Sequence, residues 1–268
     1  MPKLVSRIGH IAAEVKDFID GRVSLSHLRA TAGHAVDLVF PPHGLGGEGD
    51  ALMQPGLQPT AWSRIRFLAD EGCDMCARPF YDGLHYGMGA YCSGCTERPF
   101  PFARTRAACV YDEASRDIIL GFKHADRLDL APMLVRWLER AGADLLRDTD
   151  ALVPVPLHPS RLLKRRYNQA AELARPLARH AGKPYLPDSL MRTQKTKQQS
   201  NSADARWDNV RNAFAVSTSG VKRVAGKKLL LIDDVFTTGA TLRACAQTLL
   251  KAGAASVDAL VLARVASN

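Results

Sequence analysis

Two acids stand side by side at Asp233 and Asp234, and a short hydroxyl-rich run follows at Thr237, Thr238, Gly239, Ala240 and Thr241. Carboxylates accept hydrogen bonds and bind hard cations, so an adjacent pair suits a sugar diol or Mg²⁺. Threonine hydroxyls, and a glycine that lets the backbone come close, suit a phosphate. Paired acids beside a phosphate cradle repel the phosphate unless they face hydroxyl groups or a metal. A ribose with free 2′ and 3′ hydroxyls, with Mg²⁺ nearby, meets that condition. A second constellation is Cys73-x-x-Cys76 and Cys92-x-x-Cys95, with 15 residues between the pairs. Two such knuckles bring four sulfurs around one point, the pattern of a closed tetrahedral zinc site. The disulfide alternative needs an oxidising compartment, which nothing in the sequence supports. Four thiolates leave no open coordination position, so the expected zinc is structural and single. His85 lies between the knuckles and is a spare donor that four cysteines make unnecessary.

These residues need elements to hold them. Leu229 to Ile232 is a short aliphatic run, the mark of a strand covered on both faces. After the threonine run, Leu242, Cys245, Ala246 and Leu249 fall on one helical face. The threonine run therefore lies between a strand's carboxyl end and a helix's amino end, where free N–H groups and the helix dipole converge. Upstream, 107–111 reads as a strand, 112–123 as a helix with Ile118, Ile119 and Phe122 inward, and 128–146 as one longer helix. A second buried strand follows at 151–156, and a helix at 169–180 that Pro176 should kink or end. Residues 257–263 read as a last strand. Such alternation predicts a parallel α/β sheet. Cys109 and Cys245 fall within apolar patterns and read as buried, inert thiols.

Charge is unevenly placed. The chain carries +9 overall, yet 153–228 holds 16 Lys and Arg against four acids, a local +12, leaving −3 for the rest. A polyanionic ligand is the functional reading: pyrophosphate, nucleic acid, or both. The strand at 151–156 runs into a basic loop containing Arg161, Lys164, Arg165, Arg166 and Asn168. Open α/β sheets place their ligands at such carboxyl ends. Residues 190–209 are polar, include Lys195, Lys197 and Arg206, and cannot bury themselves. Residues 214–216 read as a short strand.

The run Leu229-Leu-Leu-Ile-Asp-Asp-Val-Phe-Thr-Thr-Gly-Ala-Thr241 resembles the phosphoribosyl pyrophosphate (PRPP) motif of type I phosphoribosyltransferases. The resemblance implies that Asp233 and Asp234 bind the ribose hydroxyls and that Thr237, Thr238, Gly239, Ala240 and Thr241 bind the 5′-phosphate. It further implies pyrophosphate contacts from Arg161, Lys164, Arg165, Arg166 and Asn168. Residues 190–209 would form a hood over PRPP, with Lys195, Lys197 and Arg206 reaching phosphates.

The chain order from about 35 to 265 is similar to a narrower group, the ComF family of competence proteins. The residues that carry this are Phe40-Pro-Pro, the four knuckle cysteines, Leu152-Val-Pro-Val-Pro-Leu-His-Pro159, Arg166-Tyr-Asn-Gln169, Arg206 with Asn209, and the PRPP-like run. Members often carry another pair of CxxC knuckles. The matching places here hold Gly44, Gly47, Gln58 and Ala61, so one zinc is expected. The expected fold is a type I phosphoribosyltransferase-like parallel sheet flanked by helices, with a small N-terminal four-cysteine zinc-ribbon module. The expected division is a helical extension at 1–35, a zinc-binding module at 36–105 with a Gly-rich, degenerate first half, and the transferase-like domain at 106–268.

The resemblance implies a cytoplasmic protein that binds PRPP with Mg²⁺ and assists single-stranded DNA in natural transformation, with competence-machinery proteins as further partners. Tyr167, Tyr185 and Trp207, interleaved with the basic stretch, offer stacking surfaces for bases. An alternative of another class is an active phosphoribosyltransferase on an unidentified acceptor. No acceptor pocket is legible, because in these folds the acceptor half varies. No run of 18 apolar residues occurs, so no membrane span is expected. No secretion signal is read at the amino terminus. There, Ile8, Ile11, Ala12, Val15, Phe18 and Ile19 repeat at helical spacing.

Overall fold

The computed structural model describes residues 59–68, 72–80, 89–124, 127–158, 162, 167–194 and 212–266. The chain divides into two compact units, Met1–Gln58 and Pro59–Asn268, and only the second contains described residues. The expected amino-terminal helix, most of the Gly-rich stretch, His85, Trp207 and most of the hood lie outside the described residues.

Four parallel strands form the sheet: β1 (Thr105–Val110), β2 (Ala151–Pro154), β5 (Lys228–Phe236) and β6 (Ser256–Arg264), in the order β1-β6-β5-β2. Leu231 pairs with Val153 on one side and Ala259 on the other, so β5 is central. Leu229, Leu231, Val257, Ala259 and Val261 share one core with Leu242, Cys245, Ala246 and Leu249 of helix α7 (Ala240–Lys251). The alternate residues Leu230, Ile232, Leu260 and Leu262 are fully buried too. They face the side of α3 (Ala131–Ala141) and α5 (Gln169–His180), whose Leu134, Leu138, Leu173 and Leu177 are sealed. A sheet covered on both faces needs apolar residues at every position, which is why β5 and β6 read as continuous aliphatic runs. Also among the described residues are a one-turn helix at Pro59–Trp62, helices α1 (Ser93–Glu97), α2 (Glu113–His124), α4 (Ala143–Asp148) and α6 (Thr218–Val224), and a short antiparallel pair, β3 (Leu190–Arg192) and β4 (Phe214–Val216).

Three expectations need correction. The strand starting at Leu229 runs on to Phe236, so Asp233 and Asp234 lie within it rather than after it. The single helix expected over 128–146 is a 3-10 turn (Leu128–Leu130), then α3, then α4, broken at Gly142. A Cβ at Gly142 would lie 2.5 Å from a methyl of Leu260, so the chain bends where it presses on the sheet. Pro176 does not end α5, which runs through it to His180. Leu173, Ala174, Leu177 and Ala178 are buried on both sides of the proline, and that packing holds the helix across one missing N–H.

Candidate functional site

The chain leaves β5 through α7 to β6, on one side. It leaves β2 through α5 to Tyr185, which bridges Leu152 in parallel on the opposite edge of β2. Neighbouring strands whose connections diverge open a crevice at their carboxyl ends, the place where such sheets bind ligands. Asp233 and Asp234 sit there, part-buried on β5. The Asp234 amide donates to Asp233 Oδ1 at 2.9 Å, and the Val235 amide donates to Asp234 Oδ1 at 2.6 Å. Asp234 Oδ2 pairs with Lys123 Nζ at 2.9 Å, from the last turn of α2. Burial, then the Asp234 charge, pushes the Asp233 carboxyl up to about 7, against the pull of the Asp234 amide, Lys123 and Arg192. A carboxyl poised near neutrality beside a second carboxylate is short of positive charge, which a cation or donor-rich ligand supplies.

The loop after β5 spans Thr237 to Gly239 and runs into α7 at Ala240. Gly239 precedes the helix in the left-handed conformation, φ 76°. A Cβ there would lie 2.4 Å from the Phe236 ring and 2.6 Å from the Phe100 ring. Only glycine meets both demands. The first amides of α7 have no intrahelical acceptor and open toward the crevice end of the sheet.

Four cysteine sulfurs, of Cys73, Cys76, Cys92 and Cys95, lie within 4.8 Å of one another. The Cys76 and Cys92 sulfurs are 3.8 Å apart, which matches the edge of a tetrahedron with metal–sulfur bonds of about 2.3 Å. The Cys92 amide donates to the Cys73 sulfur at 3.3 Å. Gly72 is pressed against the Arg78 carbonyl, 2.8 Å from where a Cβ would lie, which lets the first knuckle close. Hydrogen bonding from Cys76 and Cys95 holds the Cys73 thiol far below its ordinary value, while the bond to Cys73 drives Cys76 up to about 12. Crowded thiols cannot all ionise unaided, and a dication resolves the conflict. The donor set and spacing fit a metal ion such as zinc. Cys109 and Cys245 are fully buried, and burial raises both thiols, as expected for inert core cysteines.

Asp233, Asp234 and Thr237 to Thr241 are therefore brought to one crevice, and the four cysteines to one point. Arg161, Lys164, Arg165, Arg166, Lys195, Lys197 and Arg206 lie outside the described residues. Asn168 uses both ends of its carboxamide on the protein: its oxygen caps α5 by accepting from the Ala170 amide at 3.1 Å, and its nitrogen donates to the Val155 carbonyl at 3.1 Å. Its neighbours do the same for α2: the Tyr167 hydroxyl donates to the Phe122 carbonyl at 2.6 Å and Gln169 donates to the Lys123 carbonyl at 3.1 Å. The Tyr-Asn-Gln run thus fixes the end of the helix that carries Lys123. Sequence reasoning missed Lys123, Arg192 and Arg264. A lone arginine closing the buried run of β6 was the legible signal for the last.

A model of the phosphoribosyl transferase domain matches residues 168–268. The DNA utilization protein YhgH of Salmonella typhi is 31% identical over 207 residues, covering 72% of this chain and 89% of that protein. Competence protein F of Haemophilus influenzae is 30% identical over 214 residues, covering 68% and 93%. The chain belongs to the ComF family. Competence protein ComFC of Bacillus subtilis is a further relative, 26% identical over 211 residues, covering 75% and 81%. This ComF-family chain has the type I phosphoribosyltransferase fold, and the carboxyl end of β5 carries its signature. Among the described residues, no helix is long and apolar enough to cross a membrane.

Proposed function

We propose that this ComF-family chain binds PRPP with Mg²⁺ at the carboxyl end of β5 and handles single-stranded DNA during natural transformation, in the cytoplasm. The observation that carries the reading is the juxtaposition of Asp233 and Asp234 with the Thr237–Thr241 loop at the strand-order divergence. The ribose hydroxyls donate to the two carboxylates, and the loop amides and threonine hydroxyls donate to the 5′-phosphate. Asp233 and Asp234 would hold Mg²⁺, which would supply neutralisation of the pyrophosphate charge. The Lys123 ammonium pairs with Asp234 in the absence of ligand. Arg161, Lys164, Arg165 and Arg166 would contact the pyrophosphate, and Lys195, Lys197 and Arg206 would reach phosphates. One structural zinc holds the four cysteines, which need a reducing compartment.

DNA contacts fall on the basic stretch 153–228, whose local charge is +12. Tyr167 and Tyr185, both half-buried, and Trp207 are the aromatic residues proposed to stack on bases. Binding of a labelled oligonucleotide should weaken steeply with salt, since each phosphate contact releases counterions. Arg165→Glu with Arg166→Glu should weaken DNA binding, and Asp233→Asn with Asp234→Asn should weaken PRPP binding. A titration that stays flat at low salt would remove DNA from the proposal.

A second reading is pentosyl transfer from PRPP to an unidentified acceptor, with competence-machinery proteins as partners in either case. The intact carboxylate pair favours it, because the fold alone requires neither acid. Pyrophosphate release over a broad acceptor panel tests it.

A further inference from the structure

The four-cysteine knuckle and the phosphate loop share one side chain. Arg264 closes β6 and is only 7% exposed. Its Nε donates to the Cys76 carbonyl at 2.8 Å, the backbone of a metal-ligating residue. Its Nη1 donates to the carbonyls of Phe236 at 3.2 Å and Thr237 at 2.9 Å, and to that of Val265. The same guanidinium lies over the Phe236 ring, 4.5 Å from its centroid. In a trans peptide the carbonyl and the following N–H point opposite ways. Holding the Phe236 and Thr237 carbonyls toward the knuckle therefore turns the Thr237 and Thr238 amides away from it.

A second strut runs in parallel. Phe100, just beyond the second cysteine pair, stacks on Phe102 at 4.8 Å and meets Phe236 edge-on at 5.6 Å. The Phe100 amide donates to the Met75 sulfur at 3.2 Å, inside the first knuckle. Arg243 of α7 lies 4.6 Å above the Phe100 ring and donates to the Arg98 carbonyl at 3.3 Å. The Gly239 turn is seated against Phe100 and Phe236 together. Knuckle, loop and helix start are thus locked through the Arg264 guanidinium and an aromatic stack that Arg243 covers.

We propose that Arg264 and the Phe100–Phe236 contact make the metal knuckle a positioning element for the phosphate loop, so that loss of the metal disorients the Thr237–Thr241 amides. Arg264 is a positioning residue: its planar fork spans two targets that a lysine cannot hold at once. The consequence for ligand rests on the phosphate-site reading, but the coupling does not, and it is read without ligand.

Amide hydrogen exchange on the full-length, metal-loaded protein tests it. Chelation should raise exchange at 237–241 at least tenfold more than it raises exchange of the Leu152 and Val153 amides in β2. Arg264→Lys, metal-loaded, should raise exchange at 237–241 in the same way with metal content unchanged. Phe100→Leu, a milder change, should do so to a smaller degree. Unchanged loop exchange, or an equal rise in loop and β2 amides, overturns the inference. Ribose 5-phosphate should bind the Arg264→Lys variant about tenfold more weakly than wild type. If wild type ignores ribose 5-phosphate, the phosphate-site reading fails while the exchange result still judges the coupling.

Discussion

The two ends of the sheet handle charge in opposite ways. At the amino end, Arg104 pairs with Asp148 at 2.8 Å and with Asp258 at 2.7 Å, and Arg106 pairs with Asp74 and with Asp144 at 2.9 Å. Asp74, Asp144, Asp148 and Asp258 each meet a guanidinium directly, and two arginines clasp the knuckle, α4 and β6 onto the sheet. At the carboxyl end the two acids are sequence neighbours on one strand. Lys123 pairs with Asp234, while Asp233 takes a backbone N–H and the longer-range pulls of Lys123 and Arg192. One end is electrostatically complete, and the other is compensated only in part. Incomplete compensation in a crevice, rather than charge as such, marks the site.

The comparison can be broken or sharpened by experiment. The largest effect is expected where both ends depend on the knuckle. Removing the metal, or Cys73→Ser with Cys76→Ser, should lower the melting midpoint by more than about 10 °C, because structural zinc contributes folding free energy directly. Metal analysis should find about one zinc per chain.

Next comes the carboxyl end. Lys123 pulls the Asp233 carboxyl down from where burial puts it. Lys123→Met should therefore move the pH midpoint for Mg²⁺-dependent PRPP binding upward from about 7, by roughly one pH unit. An unchanged midpoint would show that Lys123 does not act on the pair.

A smaller effect concerns stability. Asp233 has a folded-state value of about 7, raised by burial from 3.8. The folded chain then holds a proton that the unfolded chain has released, so stability falls as pH rises between those values. Asp233→Asn should raise the melting midpoint at pH 8 by roughly 2–6 °C, and the gain should vanish near pH 4. A loss of stability at pH 8 would reverse the sign of the account.

The smallest effect belongs to the completed end. Asp148 is half-exposed, and the Arg104 guanidinium beside it holds its carboxyl below the ordinary value. Asp148→Asn should shift the midpoint by less than about 1 °C, since exposed pairs contribute little. A shift as large as that of Asp233→Asn would erase the contrast between the ends.

The parallel sheet was legible because burial on both faces writes continuous aliphatic runs at Leu229–Ile232 and 257–263. The knuckles and the acid–threonine run were legible because their chemistry depends on local spacing. The break at Gly142 was not, since it answers to Leu260, more than a hundred residues away. Lys123 and Arg264 escaped for the same reason: each acts on residues brought close only by the sheet order. Asn168, expected at the pyrophosphate, has a capping role that its place beside a basic loop did not reveal.

The central claim is that the carboxyl end of β5 is a phosphoribose site. Calorimetric titration of PRPP with Mg²⁺ into wild type and into Asp233→Asn/Asp234→Asn tests it most directly. The account predicts one-site binding to wild type and at least a hundredfold loss in the double variant, with the fold intact. No heat with wild type, or equal binding to both proteins, would contradict it.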